Sequence, residues 1–257
     1  MHSGVADAKV VVRTHGGLGN QLFQIFYARL CAGEEPITVI HDDNYPHAFS
    51  LSSAFQGYRE PTLIQRWISA CRAPKVLDRS HLSRGGRVKM GRTIFLDGYF
   101  QSAQFYGRFE NGRLAEALEQ LRAEFDIRPH ETRGDELHHI RLGDFFRSEN
   151  AQTAYLAERL RELPRGAFII TNREDLVGIA TQSEQFANMG LKVVPSVHAS
   201  PDATLRLMSG YQKIVSNDST LAFWGACLAK RVLVTPSAML NSTFRRLSGA
   251  DGRGMSG

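Results

Sequence analysis

Cysteine is scarce in this chain, and what there is does not pair up: Cys31, Cys71 and Cys227 are three in 257 residues, far apart and without C-x-x-C spacing. An odd, scattered set argues against a disulfide framework and against a cysteine zinc site, and it fits a reducing cytosol. Long apolar runs are also missing. The stretch from Leu22 to Cys31 is interrupted by Gln24 and Arg29, far short of the roughly 20 apolar residues that a membrane span needs. The N-terminal residues show no basic-then-apolar signal pattern. The expectation is a soluble, cytoplasmic protein with at most peripheral membrane contact. Neither G-x-G-x-x-G nor the Lys-Ser/Thr of a P-loop is present, and no D-x-D element stands out. The arginines are spread along the chain with no aromatic-basic interleaving, which leaves nucleic acid the lesser reading.

What is present is ordinary globular material. Hydrophobic residues make up 42% and charged residues 22%, enough for a packed core and against general disorder. A net charge of +5 and a pI near 9.3 suit an anionic partner without choosing among a small ligand, nucleic acid and a membrane surface. The length fits one large α/β domain or two of about 120 residues.

Lys9 to Arg13 holds three successive β-branched residues, Val10, Val11 and Val12, and reads as a buried first strand. Thr14-His-Gly-Gly-Leu-Gly-Asn20 follows, then a helical run from Gln21 to Leu30 with Asn20 as N-cap. Such a glycine turn either offers backbone N–H groups to an anion or simply lets strand and helix pack. Ile37 to His41 is a second strand. Asp42 and Asp43 behind it either meet a sugar hydroxyl or form a plain turn. Residues 50–90 carry a basic bias and a Gly85-Gly86 turn. Thr93 to Ser102 is a strand and glycine turn bearing aromatic and amide groups, and Leu114, Leu118, Leu121 and Phe125 mark an amphipathic helix stopped by Pro129. Residues 128–136 are the linker, dividing domains at 1–130 and 131–250. Residues from Ser248 to Gly257 are a Gly/Ser-rich tail, with 251–257 disordered.

The segment His138-His-Ile-Arg-Leu-Gly-Asp-Phe145 is the focus of the second half. Leu137, His139 and Arg141 alternate as in a strand, a glycine breaks the pattern and Asp144 closes the turn. This presents a cation at a strand's carboxyl end, where open parallel sheets bind ligands, or an ion pair of Arg141 with Asp144. Beyond it, helices at 154–163, 173–186, 201–208 and 219–229 alternate with strands at 166–171, 191–194, 213–216 and 231–234. Crossover helices between strands imply parallel sheets. Asn217-Asp-Ser-Thr220, between the strand at 213–216 and the helix after it, has more polar groups than one N-cap needs, with donors to spare for a phosphate. Asp202, in the first turn of its helix, suits the helix dipole or a ligand.

Four segments in order carry a family resemblance: Gly16-Gly-Leu-Gly-Asn-Gln-Leu-Phe-Gln24, Phe95-Leu-Asp-Gly-Tyr-Phe-Gln-Ser102, His139-x-Arg-x-Gly-Asp144, and Leu207-Met-Ser209 through Ser216-Asn217-x-Ser219 to Trp224. The chain resembles glycosyltransferase family 11, the α-1,2-fucosyltransferases. It departs from that pattern at Leu142, where a second arginine is usual, at Asn172-Arg173, where acidic residues are usual, and at Leu221-Ala-Phe223.

The resemblance implies a GT-B-like α/β fold of two Rossmann-like domains with parallel sheets, the acceptor mainly on the first and the donor mainly on the second. It implies inverting, metal-independent transfer of L-fucose from GDP-β-L-fucose to a hydroxyl of an oligosaccharide acceptor, the 2-OH of galactose, on a glycan that is in some cases lipid-linked. No cofactor is expected. The catalytic set is Arg141, His139 and Asp144, with Arg141 on the β-phosphate, because a guanidinium offers phosphate a rigid fork of donors. Donor-binding candidates are Gly17, Gly19, Asn20, Gln21, Asp202, Asn217, Ser219 and Thr220. His15, Asp42, Asp43 and Asp97 qualify by location as the base. The alternatives are a non-catalytic nucleotide-sugar or glycan-binding module and a transferase using another GDP-sugar.

Overall fold

The computed structural model describes residues 9–41, 58–59, 85–90, 93–128, 132–142, 146, 148–195 and 200–250. Asp42, Asp43, Cys71 and Asp144, together with the expected tail 251–257, lie outside these residues.

The chain forms two compact units, the first built from residues up to Asp126 and from Ser242 onward, the second from Ile127 to Asn241. In the first, β1 (Lys9–Thr14) leads into α1 (Leu18–Ala32) and β2 (Ile37–His41), with β3 (Tyr58–Arg59), β4 (Gly85–Met90), β5 (Thr93–Gly98) and α2 (Asn111–Glu124) after them. The sheet order is β3-β2-β1-β5-β4. β1 pairs in parallel with both β2 and β5. Val10, Val11 and Val12 are all buried, as expected of a central strand covered on both faces. α1 is apolar almost all round and correspondingly buried, from Leu18 to Ala32.

Two local expectations change. α1 begins at Leu18 instead of Gln21, its N-cap is the extended Gly17, and Asn20 donates its N–H to Gly17 O (2.9 Å) from within the first turn. Gly16, at φ +80°, turns the chain early enough for this; the left-handed region is open to glycine at little steric cost. Gly85-Gly86 is not a turn but the start of β4, antiparallel to β5 with Gly85 opposite Gly98. Antiparallel pairing with the next strand, in a register that runs to Met90 opposite Thr93, and not residue propensity, makes this edge strand.

The second unit contains β6 (Gly134–Ile140), α3 (Glu149–Arg161), β7 (Phe168–Thr171), α4 (Glu174–Gln182), β8 (Lys192–Val193), α5 (Pro201–Ser209), β9 (Tyr211–Ser216), α6 (Thr220–Ala229) and β10 (Val232–Val234). Its sheet runs β10-β9-β6-β7-β8 and is parallel throughout. Part of the expected linker, from Gly134, is therefore strand. Leu137, Ile169, Ile214, Leu205, Met208, Phe223 and Trp224 are fully buried around it; a side chain such as Phe223 contributes about 1.5–3 kcal/mol by leaving water. Each unit is an α/β layer of Rossmann-like kind.

The second domain expected at 131–250 does not keep its end. α7 (Ala238–Ala250) carries Leu240, Phe244 and Leu247 on one buried stripe. From Ser242 it belongs to the first unit. There Thr243 Oγ1 donates to Gln101 O (2.6 Å) and Arg246 donates to Tyr106 O (3.2 Å). Ser248, expected to open a loose tail, is helical and donates its hydroxyl to Phe244 O (2.7 Å).

Candidate functional site

In the second unit β6 lies centrally, with β7 and β8 on one side and β9 and β10 on the other. The chain therefore reverses direction of travel between β6 and β9, and the carboxyl ends of those two strands form the crevice where doubly wound sheets take ligands. β6 delivers Arg141 and Leu142 there, and β9 delivers Asn217. The register places His139 opposite Ser216.

His139 is buried, with Nδ1 3.2 Å from Ser216 Oγ. The Ser216 hydroxyl donates its one hydrogen to Asn217 O (2.9 Å). Oγ can therefore only accept from the ring, which assigns the neutral tautomer with the proton on Nδ1. Burial, and then the nearby Arg141 cation, lower the pKa of His139 to about 3. At neutral pH the ring is a fixed polar strut and carries no charge.

Arg141 is half-buried, and its main chain is held from the β9 side. Its N–H donates to Asn217 Oδ1 (3.2 Å) while Asn217 Nδ2 donates to its carbonyl (3.2 Å). A hydrogen bond joins Asn217 to the Tyr155 hydroxyl on α3, whose pKa is raised by burial. Leu142 is held from the β7 side in the same way: Asn172 Oδ1 accepts from its N–H (2.8 Å) and Asn172 Nδ2 donates to its carbonyl (2.6 Å). Where the resembled pattern has a second arginine, Leu142 is 0% exposed and packs with Ile140, Leu156 and Ile169. Arg173 forks onto Asp175 (2.7–3.2 Å) and reaches Gln152 (3.1 Å) and Glu149 (3.4 Å).

Ser219 is the N-cap of α6, its Oγ accepting from Ala222 N (3.3 Å); that hydroxyl's acceptor role is internal. Thr220 opens the same helix, half-buried. Asp202 sits in the first turn of α5. Its carboxylate accepts from the Ser200 hydroxyl and from Arg206 Nη2 (2.7 Å). Burial pushes its pKa up, but Ser200 and Arg206 outweigh this and hold it below the usual carboxylate value.

The first unit has its own reversal point, between β1 and β5. Gly17 there has open space where a Cβ would stand, while Gly19 is buried inside α1. Asn20 Oδ1 accepts from Gln101 Nε2 (2.9 Å). Gln21 Nε2 donates to Gly16 O (2.7 Å), and its Oε1 is buried without a hydrogen-bond partner among the described residues. Gln24 grips His15, accepting from its N–H (3.0 Å) and placing Nε2 3.4 Å from both its carbonyl and Nδ1. The ring stands edge-on to Tyr99 at 4.6 Å. Asp97 lies 3.9 Å from Arg13.

Apart from Gly19 within α1 and Asp202 in the first turn of α5, the described candidates fall into two sets. His15, Gly17, Asn20, Gln21 and Asp97 gather at the first unit's edge, and His139, Arg141, Asn217, Ser219 and Thr220 at the second's. Gln24, Tyr155 and the bracket made by Asn172 escaped the sequence reading. The findable signal was a repeated offset: Asn172 and Asn217 each directly follow a buried strand, β7 and β9.

Among the described residues no group of three or more His, Cys, Asp or Glu could hold a metal ion, and no helix is long and apolar enough to cross a membrane. No protein-family model matches the chain, and no curated protein does. Among solved structures, E. coli heptosyltransferase WaaC with ADP aligns over 95% of this chain and 98% of that one, at 11% identity and a TM-score of 0.42. At that score the likeness carries no functional information.

Proposed function

We propose that the chain is a glycosyltransferase that binds a nucleoside diphosphate sugar at the β6–β9 crevice, with Arg141 on the β-phosphate. On the motif resemblance, the donor is GDP-β-L-fucose and the acceptor a galactose hydroxyl of an oligosaccharide. The observation that carries the reading is Arg141 at the reversal point of a parallel sheet, its peptide held on one side by Asn217 and that of Leu142 held on the other by Asn172. The acceptor oxygen attacks the anomeric carbon as the bond to the β-phosphate oxygen breaks, the proton passes to a base, and GDP leaves carrying the bonding pair. Charge grows on the phosphate in the transition state. A guanidinium that binds it more strongly there lowers the barrier, and losing one such donor typically costs on the order of 10²–10³-fold. His139, neutral and tied to Ser216, orients this edge and does not shuttle protons. Ser219 and Thr220 bring the N-terminus of α6, and Asp202 supplies a carboxylate suited to guanine N–H groups. Asp97 and His15 are the described candidates for the base.

The test is release of free GDP from GDP-fucose and from GDP-mannose, each with and without lactose, beside calorimetric titration with GDP. Lactose-dependent release from GDP-fucose alone is the expected result. Release from GDP-mannose instead would move the reading to another GDP-sugar. Binding without turnover would make the chain a nucleotide-sugar-binding module, and absence of GDP binding would end the proposal.

A further inference from the structure

Two side-chain amides extend the pairing of the second sheet beyond the last residue of β6. In a strand the N–H and C=O of one residue point to the same neighbour and those of the next residue to the opposite one. Arg141 and Leu142 keep that alternation after β6 has ended: both main-chain groups of Arg141 meet Asn217, after β9, and both of Leu142 meet Asn172, after β7. Each asparagine stands in for a strand residue. The chain is therefore held in strand geometry for two further residues, and the pleat keeps Arg141 on the face of His139.

We infer that Asn172 is a positioning residue for Arg141, setting where its guanidinium meets the donor phosphate. This rests on the proposed function. The side-chain type is decisive, because the group must accept from Leu142 N–H and donate to Leu142 C=O together. An aspartate could do the first but would set a carboxylate oxygen against the carbonyl. The acidic residue usual here in the resembled family is thus incompatible with this bracket, and Asn172 is the residue that fits it. Arg173 beside it belongs to a separate network with Asp175, Glu149 and Gln152.

The experiment is a double-mutant cycle of Asn172→Asp and Arg141→Ala, read by turnover of GDP-fucose with lactose. Backbone amide exchange of Leu142 is followed by NMR in the free protein. Asn172→Asp is expected to lower kcat about 10- to 100-fold, as a displacement of about 1 Å does, with little change in the KM for lactose. In the Arg141→Ala background it should add less than about a twofold change, since a residue acting through Arg141 has nothing left to position. Exchange at Leu142 should quicken about 5-fold or more in Asn172→Ala, as loss of one hydrogen bond implies. Equal losses in both backgrounds would overturn the inference, as would unchanged exchange. Parent protein that fails to bind GDP would overturn the functional reading, and the role given to Asn172 with it, while the exchange result still decides the bracket. If Asn172→Asp does not fold, Asn172→Ala takes its place in the cycle; failure of both to fold would mean a structural role and overturn the inference.

Discussion

Replacing His139 by Gln should remove a pH dependence that the parent protein carries. The ring is buried and lies near the Arg141 cation, so its pKa falls from 6.5 to about 3. Between those two pH values the unfolded chain binds a proton that the folded protein refuses, and stability therefore rises with pH. The stability linked to the neutral ring is fully present above 6.5 and is lost as pH falls toward 3. Each pH unit in the window is worth about 1.4 kcal/mol, so at pH 5 the parent has lost about 2 kcal/mol relative to pH 8. His139→Gln keeps a donor for Ser216 and cannot titrate. Urea melts at both pH values should show a loss for the variant smaller by about 2 kcal/mol, and thermal melts a difference of about 4–8 °C. His138 is also lowered, by burial first, but it is common to both proteins and cancels in the comparison. An identical pH dependence in parent and variant, or a His139 ring signal that titrates near 6.5, would refute the reasoning.

Gly16→Ala should cost about 1–3 kcal/mol, combining left-handed strain of about 1–2 kcal/mol with a Cβ that would stand 2.8 Å from Asn20 Nδ2; a parent-like melting temperature would show that the turn is not constrained as described. Arg141→Lys keeps the charge but loses the fork and should retain about one hundredth of the transfer rate or less; near-parental turnover would remove Arg141 from the phosphate. Asp202→Asn should change stability by only about 0.3–0.5 kcal/mol, as an exposed pair one helical turn apart contributes, yet weaken GDP binding about tenfold or more, as loss of a charged hydrogen bond does. An unchanged GDP titration would leave Asp202 with its helix role alone.

What was legible in the sequence was whatever a short window carries. The β-branched run Val10–Val12 marks a strand buried on both faces, the alternation of Leu137, His139 and Arg141 follows from the two-residue period of a strand, and Leu114, Leu118 and Leu121 from the helical period. Strand alternating with helix implied parallel sheets, and the glycine turn and the Asn217 cluster did lie at strand ends. Even α7 had its signal in Leu240, Phe244 and Leu247, obscured by the serines and glycines around it.

The tertiary structure decided what depends on partners far along the chain. Which strand stands beside β6 determines where the crevice opens, and strand order is a matter of non-local pairing that no local period encodes. Asn217, Ser219 and Asp202 all looked equally available for a ligand, because an amide, a hydroxyl or a carboxylate in sequence is an unspent hydrogen bond. Folding spends the amide of Asn217 on Arg141, the acceptor of Ser219 on Ala222, and part of the acceptor capacity of Asp202 on Ser200 and Arg206. Asn172 shows the converse: thirty residues from Leu142 in sequence, it gains its role only because β7 pairs with β6 and brings its amide to a peptide that the strand has left unpaired.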